Sequence, residues 1–217
     1  MALALFDLDD TLIGGNSPSL WLENLAAQGW LDRESFIPRE QELVAQYAAL
    51  RIGLEEYMAF TLQPLVGRTP EEVEFITGPF VEEVIEPLIH TAAMRSIAAH
   101  RAAGDRILVI SASPTFLVEA IAVRLGIAEV LGTELELQHG CYSGRVAGIP
   151  CARDGKIRRL EQWLAAQGEA LAGAHFYSDS RNDLPLLCHV AHPHAVNPDA
   201  ALREHAERYG WDILHWH

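Results

Sequence analysis

Ala2-Leu3-Ala4-Leu5-Phe6, running straight into Asp7-Leu8-Asp9-Asp10-Thr11, is the stretch that decides the fold. A short apolar run that stops at a knot of acids reads as a buried strand of a parallel sheet, with its polar residues at the carboxyl end where open α/β sheets bind ligands. The same form recurs downstream. Arg106–Ile110 runs into Ser111-Ala112-Ser113, and His175–Ser178 runs into Asp179-Ser180-Arg181-Asn182-Asp183; His194–Val196 and Asp212–Leu214 are two further strand candidates. Helical patterns separate these runs after about residue 90, which is the sequence form of an α/β fold with a Rossmann-like parallel sheet and helices on both faces.

Between Gly15 and Pro87 the pattern changes to helix alone, with start signals at Ser17-Pro18 and Thr69-Pro70-Glu71-Glu72. Residues 1–15 and 88–217 are therefore expected to form the α/β core and 16–87 a helical insertion. The insertion holds 13 acidic residues against four arginines. Most are expected on solvated helix faces, with a few lining a pocket that suits a cationic group. Thr133–Val146 alternates around His139-Gly140 and Ser143-Gly144 as a β-hairpin does, and receives no chemical role.

The 217 residues are 49% hydrophobic and 21% charged, which suits a folded globular chain and not a disordered one. No run approaches the ~20 apolar residues of a membrane span, so neither a span nor a signal peptide is expected. A net charge of −14 disfavours nucleic acid and acidic lipid as partners. Cys141, Cys151 and Cys188 are an odd set without a Cys-x-x-Cys pair, which fits a reducing cytoplasm. The spacings His192/His194 and His215/His217 lack matching partners and read as surface or loop histidines.

Each polar cluster alone is explained as a cap or a turn. Three of them at the ends of three strands point to one site. Asp7 and Asp9 flank a single residue, so an extended segment turns both carboxylates toward the same place, where they repel unless a cation or a proton intervenes. Hard oxygen donors of this kind favour Mg²⁺, with Asp179 as the third contributor. Ser113-Pro114 reads as an N-cap with proline at the first helical position, which leaves the Ser111 hydroxyl and the free N–H groups around Ala112 for a phosphate. Lys156 is the only lysine in the chain and falls in the first turn of an expected helix, where the helix dipole disfavours a cation. Balancing phosphate and the Asp7 carboxylate explains it. Asp183 is placed to orient Lys156 or a metal-bound water, Asn182 to bond phosphate or Ser111, and Arg181 to meet substrate or solvent.

The order Asp-x-Asp-x-Thr, Ser, Lys, Asp-x-x-x-Asp, with a helical insertion after the first strand, resembles the haloacid dehalogenase-like hydrolases, and within them the type IB, phosphoserine-phosphatase-like branch. That resemblance implies a C1-type helical cap over residues 16–87. It also implies a Mg²⁺-dependent phosphatase in which Asp7 attacks phosphorus and Asp9 first protonates the leaving oxygen and then activates water. Mg²⁺ would be held by the Asp7 side chain, the Asp9 carbonyl and the Asp179 side chain, and phosphate by Ser111, Ala112, Lys156 and Asn182. Asn16 stands where phosphoserine phosphatases place a glutamate for the substrate amine, and Ser111-Ala112-Ser113 departs from their Ser-Gly-Gly. The chain is thus closer to a bacterial group that includes histidinol-phosphate phosphatases. An acidic cap with Trp21, Trp30 and Tyr47 is expected to receive an amine or imidazole. The partner is a small phosphomonoester met by a monomer or small homo-oligomer; the alternatives are a phosphate sensor with weak turnover and a phosphotransferase or mutase on the same fold.

Overall fold

The structure, a computed structural model, describes residues 2–217. Its main sheet has six strands, β1 (Leu3–Phe6), β2 (Arg106–Pro114), β3 (Glu129–Thr133), β6 (His175–Ser178), β7 (His192–Val196) and β8 (Asp212–Leu214), in the order β3-β2-β1-β6-β7-β8. All neighbouring pairs are parallel. The remaining two strands, β4 (Leu135–Gln138) and β5 (Cys141–Val146), form the antiparallel hairpin expected at 133–146. With that hairpin set aside, the strand order reverses between β1 and β6, so the topological switch point lies where Asp7 and Asp179 emerge.

Period-two alternation sorts the strand residues between two cores. Leu3, Leu5, Leu108, Ile110 and Phe176 face one side, with Leu160 of α7 (Asp154–Gln167), Leu186 of α8 (Leu184–Leu187) and Leu202 of α9 (Ala200–Tyr209). Ala4, Phe6, Val109 and Tyr177 face the other, with Ile97 of α5 (Thr91–Ala102) and Leu117 and Ile121 of α6 (Thr115–Arg124).

The segment between β1 and β2 is helical throughout: α1 (Ser17–Ala27), α2 (Arg33–Ala48), α3 (Leu54–Thr61) and α4 (Pro70–Phe80), the last continuing through a π turn at Val81–Ile85. Asn16 caps α1, and Thr69 with Glu72 closes a capping box on α4. Trp21, Leu25, Tyr57 and Phe80 join the same apolar cluster as Phe6 and Val109. The outgoing and returning chains lie side by side, since Gly14 N donates to the Leu88 carbonyl at 2.8 Å and His90 N to the Leu12 carbonyl at 3.0 Å.

Two local expectations are corrected. Strand β2 does not end at Ile110 but runs on to Pro114, which pairs with Thr133, so α6 begins at Thr115 with Pro114 in the cap position. Ser113 is therefore no helix cap. His194 is neither a surface nor a loop residue, because it lies within β7 and its ring packs on Tyr177, whereas His192, whose ring stacks on His175, is exposed at the start of that strand.

These rings belong to an aromatic column. Tyr177 stacks on Phe6 at 4.6 Å and on His194 at 4.3 Å, and His175 Nδ1 lies 3.0 Å from His194 Nε2. One of two nitrogens so close must lack a proton, so the pair excludes the doubly charged state. Burial, reinforced by His175, pushes His194 down to about 4, and burial with His100 lowers His175. Histidines depressed in the folded state bind their protons more readily when unfolded, so their contribution is intact above about pH 6.5 and is lost as pH falls toward 4. The melting temperature is expected to drop steadily between pH 7 and 5, with a shallower drop for His194→Gln. Parallel curves for the two proteins would place the acid sensitivity elsewhere.

Candidate active site

Asp7 directly follows β1, and its N–H still pairs with the Tyr177 carbonyl of β6 at 2.9 Å. Its carboxylate is thereby fixed at the switch point. Lys156, in the first turn of α7 and 2% exposed, places its ammonium 2.7 Å from Asp7 Oδ1 and 2.7 Å from Asp183 Oδ2. Ser178 Oγ also donates to Asp183 Oδ2, at 2.7 Å. Gly155 is what brings α7 this close: a Cβ there would stand 2.0 Å from the Pro150 carbonyl oxygen. The two carboxylates resolve the conflict between a lysine and the amino end of a helix. Burial pulls the Lys156 pKa down, but Asp183 and Asp7 outweigh it and hold the ammonium charged.

Thr11 ties the first cluster to the last. Its hydroxyl donates to Asp179 Oδ1 and accepts from Asp179 N, each at 3.0 Å. The Asp9 carboxylate accepts from Ser17 N of α1 at 2.6 Å and from Ser113 Oγ of β2 at 2.5 Å. Asp7 and Asp9 border one cavity. Burial raises the pKa of the Asp9 carboxyl, against the pull of the Ser113 and Ser17 hydrogen bonds.

Asp7, Asp9, Ser111, Ala112, Lys156, Asp179, Asn182 and Asp183 all line a single cavity of about 340 Å³. Ser111 Oγ accepts from Ser113 N at 3.1 Å and keeps its own proton for a ligand. Asn182 Oδ1 accepts from Arg153 Nε at 3.2 Å and makes no hydrogen bond to Ser111. The Arg153 guanidinium also covers the Tyr47 ring at 5.1 Å and reaches the Tyr47 carbonyl at 3.4 Å. Arg181 is exposed and contributes only its N–H, to Asp199 Oδ2 at 2.8 Å, which settles it on the solvent side. Asp10 borders the cavity in a left-handed conformation, φ 54°.

The helical wall differs from expectation. Tyr47 lines the cavity, but Trp21 is buried edge-on against Phe80 and Phe116, and Trp30 lies under Arg68. Tyr57, Met58, Leu54 and Val44 take the places given to the tryptophans. They were missed because an apolar or aromatic residue on a helix shows its period, not which neighbour it faces. Thr11 and Ser113 were missed for the same reason, their partners being 168 and 104 residues away.

The carboxylates fit a hard cation. Burial raises Asp179 well above the usual range, with Asp7 and Asp10 adding to it, and burial pushes Asp7 up to about 7 in spite of Lys156. One ammonium does not neutralise this group. No three Asp, Glu, His or Cys side chains among the described residues surround a common metal position. A cation bound here would draw on the carboxylates of Asp7 and Asp179 together with main-chain oxygen, water or phosphate, a donor set that suits Mg²⁺.

The family model of the haloacid dehalogenase-like hydrolases matches residues 4–187, which span every element of this site. The chain belongs to that family. A histidinol-phosphatase of Neisseria meningitidis serogroup C (strain 8013) is 38% identical over 99% of this chain and 98% of its own length. The crystal structure of a protein of unknown function from Bordetella pertussis Tohama I is 36% identical, with a TM-score of 0.91 over 98% of this chain and 97% of its own. A substrate-bound phosphoserine phosphatase shares the fold, with a TM-score of 0.73 over 98% of this chain and 92% of its own, at 18% identity. The Rossmann-like sheet and the helical insertion of this chain are thus those of the haloacid dehalogenase-like fold.

Proposed function

We propose that the chain, a phosphatase of this family, hydrolyses a small phosphomonoester through a phosphorylated Asp7, and that residues 16–87 are the cap over the site. The observation that carries this reading is the position of Lys156 between Asp7 and Asp183, with Asp9 held apart by Ser17 and Ser113. Lys156 fixes one oxygen of Asp7 and leaves the other to attack phosphorus. The bond from phosphorus to the ester oxygen breaks as Asp9 gives that oxygen its proton, and the alcohol departs. Asp9, now a carboxylate, takes a proton from water, which attacks the Asp7 phosphoryl group and returns free phosphate. Ser111 and the N–H groups beside Ala112 hold the phosphate oxygens meanwhile. Mg²⁺, when bound by Asp7, the Asp9 carbonyl and Asp179, supplies the positive charge that lets a dianionic ester approach these carboxylates.

An amine-bearing ester such as histidinol phosphate fits this site ahead of phosphoserine. Asn16 Oδ1 is occupied by Ser19 N as the cap of α1, so no carboxylate receives an amine there. The relative named histidinol-phosphatase aligns over almost the whole of both chains. Three free thiols suit work in a reducing cytoplasm. Phosphate release from histidinol phosphate, phosphoserine and simple alkyl phosphates is expected with Mg²⁺ and is expected to disappear with chelator and return on adding Mg²⁺. Release unaffected by chelator would remove the metal from the proposal, and absence of release from every ester would remove the activity.

A further inference from the structure

Glu40 is the only buried glutamate among the described residues, 2% exposed in the middle of α2. Of the insertion's acids, Glu23 is half-buried and the others lie in solvent. A carboxylate is costly to bury, and this one is met by hydroxyls alone: Ser19 Oγ of α1 donates to Oε1 at 2.7 Å and Tyr57 Oη of α3 at 3.0 Å. Neither partner carries a positive charge. Glu40 borders a second cleft of about 280 Å³ between α1 and α2, and Val44, one turn along the same helix, borders both that cleft and the active-site cavity. Its charge thus sits directly behind the wall of the active site.

Tyr57 carries the effect to the cavity. A phenol has one proton. Tyr57, which lines the active-site cavity, gives it to Glu40, so its oxygen is left with lone pairs only. Burial and then Glu40 itself raise the Tyr57 pKa, which keeps that proton in place. The adjoining Tyr47 ring lies nearly parallel to Tyr57 at 5.9 Å and is itself covered by the Arg153 guanidinium. The countervailing charge is Arg153, whose guanidinium is held on the Tyr47 side by Asn182 Oδ1 and the Tyr47 carbonyl.

We infer that Glu40, through the hydroxyl it polarises on Tyr57, selects leaving groups that bring an ammonium or another N–H donor to the helical wall. The inference rests on the phosphatase reading and deepens it. Glu40 is a positioning residue, and the selection is expressed at Tyr57. The carboxylate keeps the hydroxyl turned as an acceptor and adds its own field.

The test uses the full chain with Mg²⁺ and two series of esters, amine-terminated alkyl phosphates of two to four carbons and their methyl-terminated isosteres. The readout is the ratio of kcat/KM for each amine over its isostere. The native chain is expected to favour the amine, and that ratio is expected to fall about tenfold in Glu40→Gln and in Tyr57→Phe, the size of one hydrogen bond to a charged group. Tyr57→Phe keeps the ring and decides the matter if Glu40→Gln does not fold. A native preference for the methyl or for a carboxylate-terminated ester overturns the inference, as does an unchanged ratio in the variants, which would reduce Glu40 to a tie between three helices. Those results leave the phosphatase reading standing, whereas no release from any ester removes both.

Discussion

Asp7→Asn is expected to lower phosphate release by at least about a thousandfold with the fold intact, because a neutral amide is no nucleophile toward phosphorus and no other group stands in its place. The variant loses the 2.7 Å ion pair to Lys156, but Lys156 keeps Asp183 at the same distance. It also removes a carboxylate that burial has already pushed up to about 7, so the cost of desolvating that charge disappears with it. The two changes in stability oppose each other. The melting temperature is expected to stay within a few degrees of the parent, and acid-quenched enzyme given substrate should retain phosphate on the native chain but not on Asp7→Asn. A variant with a tenth of the native rate would sink the assignment of Asp7 as nucleophile.

Lys156→Met strikes both function and fold. Methionine fills the space of the lysine stem but leaves Asp7 and Asp183 buried with no cation between them, in a region where Asp179 is already raised by its neighbours. Removing one partner of a buried ion pair costs about 3–5 kcal/mol. For a chain of this length that is a fall in melting temperature on the order of 10 °C. Phosphate release should be lost as well, since the dianionic ester would meet acidic groups without their balancing ammonium. The double variant Lys156→Met with Asp183→Asn should regain much of the stability and none of the activity. Equal melting temperatures for the single and double variants would mean that Asp183 is not the partner that makes Lys156 necessary.

Much of this molecule is readable along the chain. Leu3–Phe6 is readable as a buried strand because an apolar run this short, ended by acids, suits the length of a parallel strand and not that of a core helix. Lys156 stood out because it is the only lysine and lies where a helix repels cations. The residues that failed to show themselves are those whose role depends on distant partners. Ser113 has the form of a helix cap, yet β2 keeps pairing through Pro114 and the hydroxyl is spent on Asp9. Trp21 and Trp30 are aromatic enough for a binding wall, but one is core and the other serves Arg68.

The amino-acid sequence by itself determined the parallel α/β class, the helical insertion, and the strand ends that carry Asp7 and Asp179. These follow from local propensity, hydrophobic period and the position of polar clusters, all of which act over a few residues. Only the tertiary structure decided that Asp9 turns to Ser17 and Ser113, that Thr11 clasps Asp179, and that Glu40 rather than a tryptophan lies behind the helical wall. Each of those is a side-chain hydrogen bond between groups on different elements, or the burial of one charge among many like it. The order of residues carries no mark of which distant donor a carboxylate will find, because that is set by how the helices and the sheet pack.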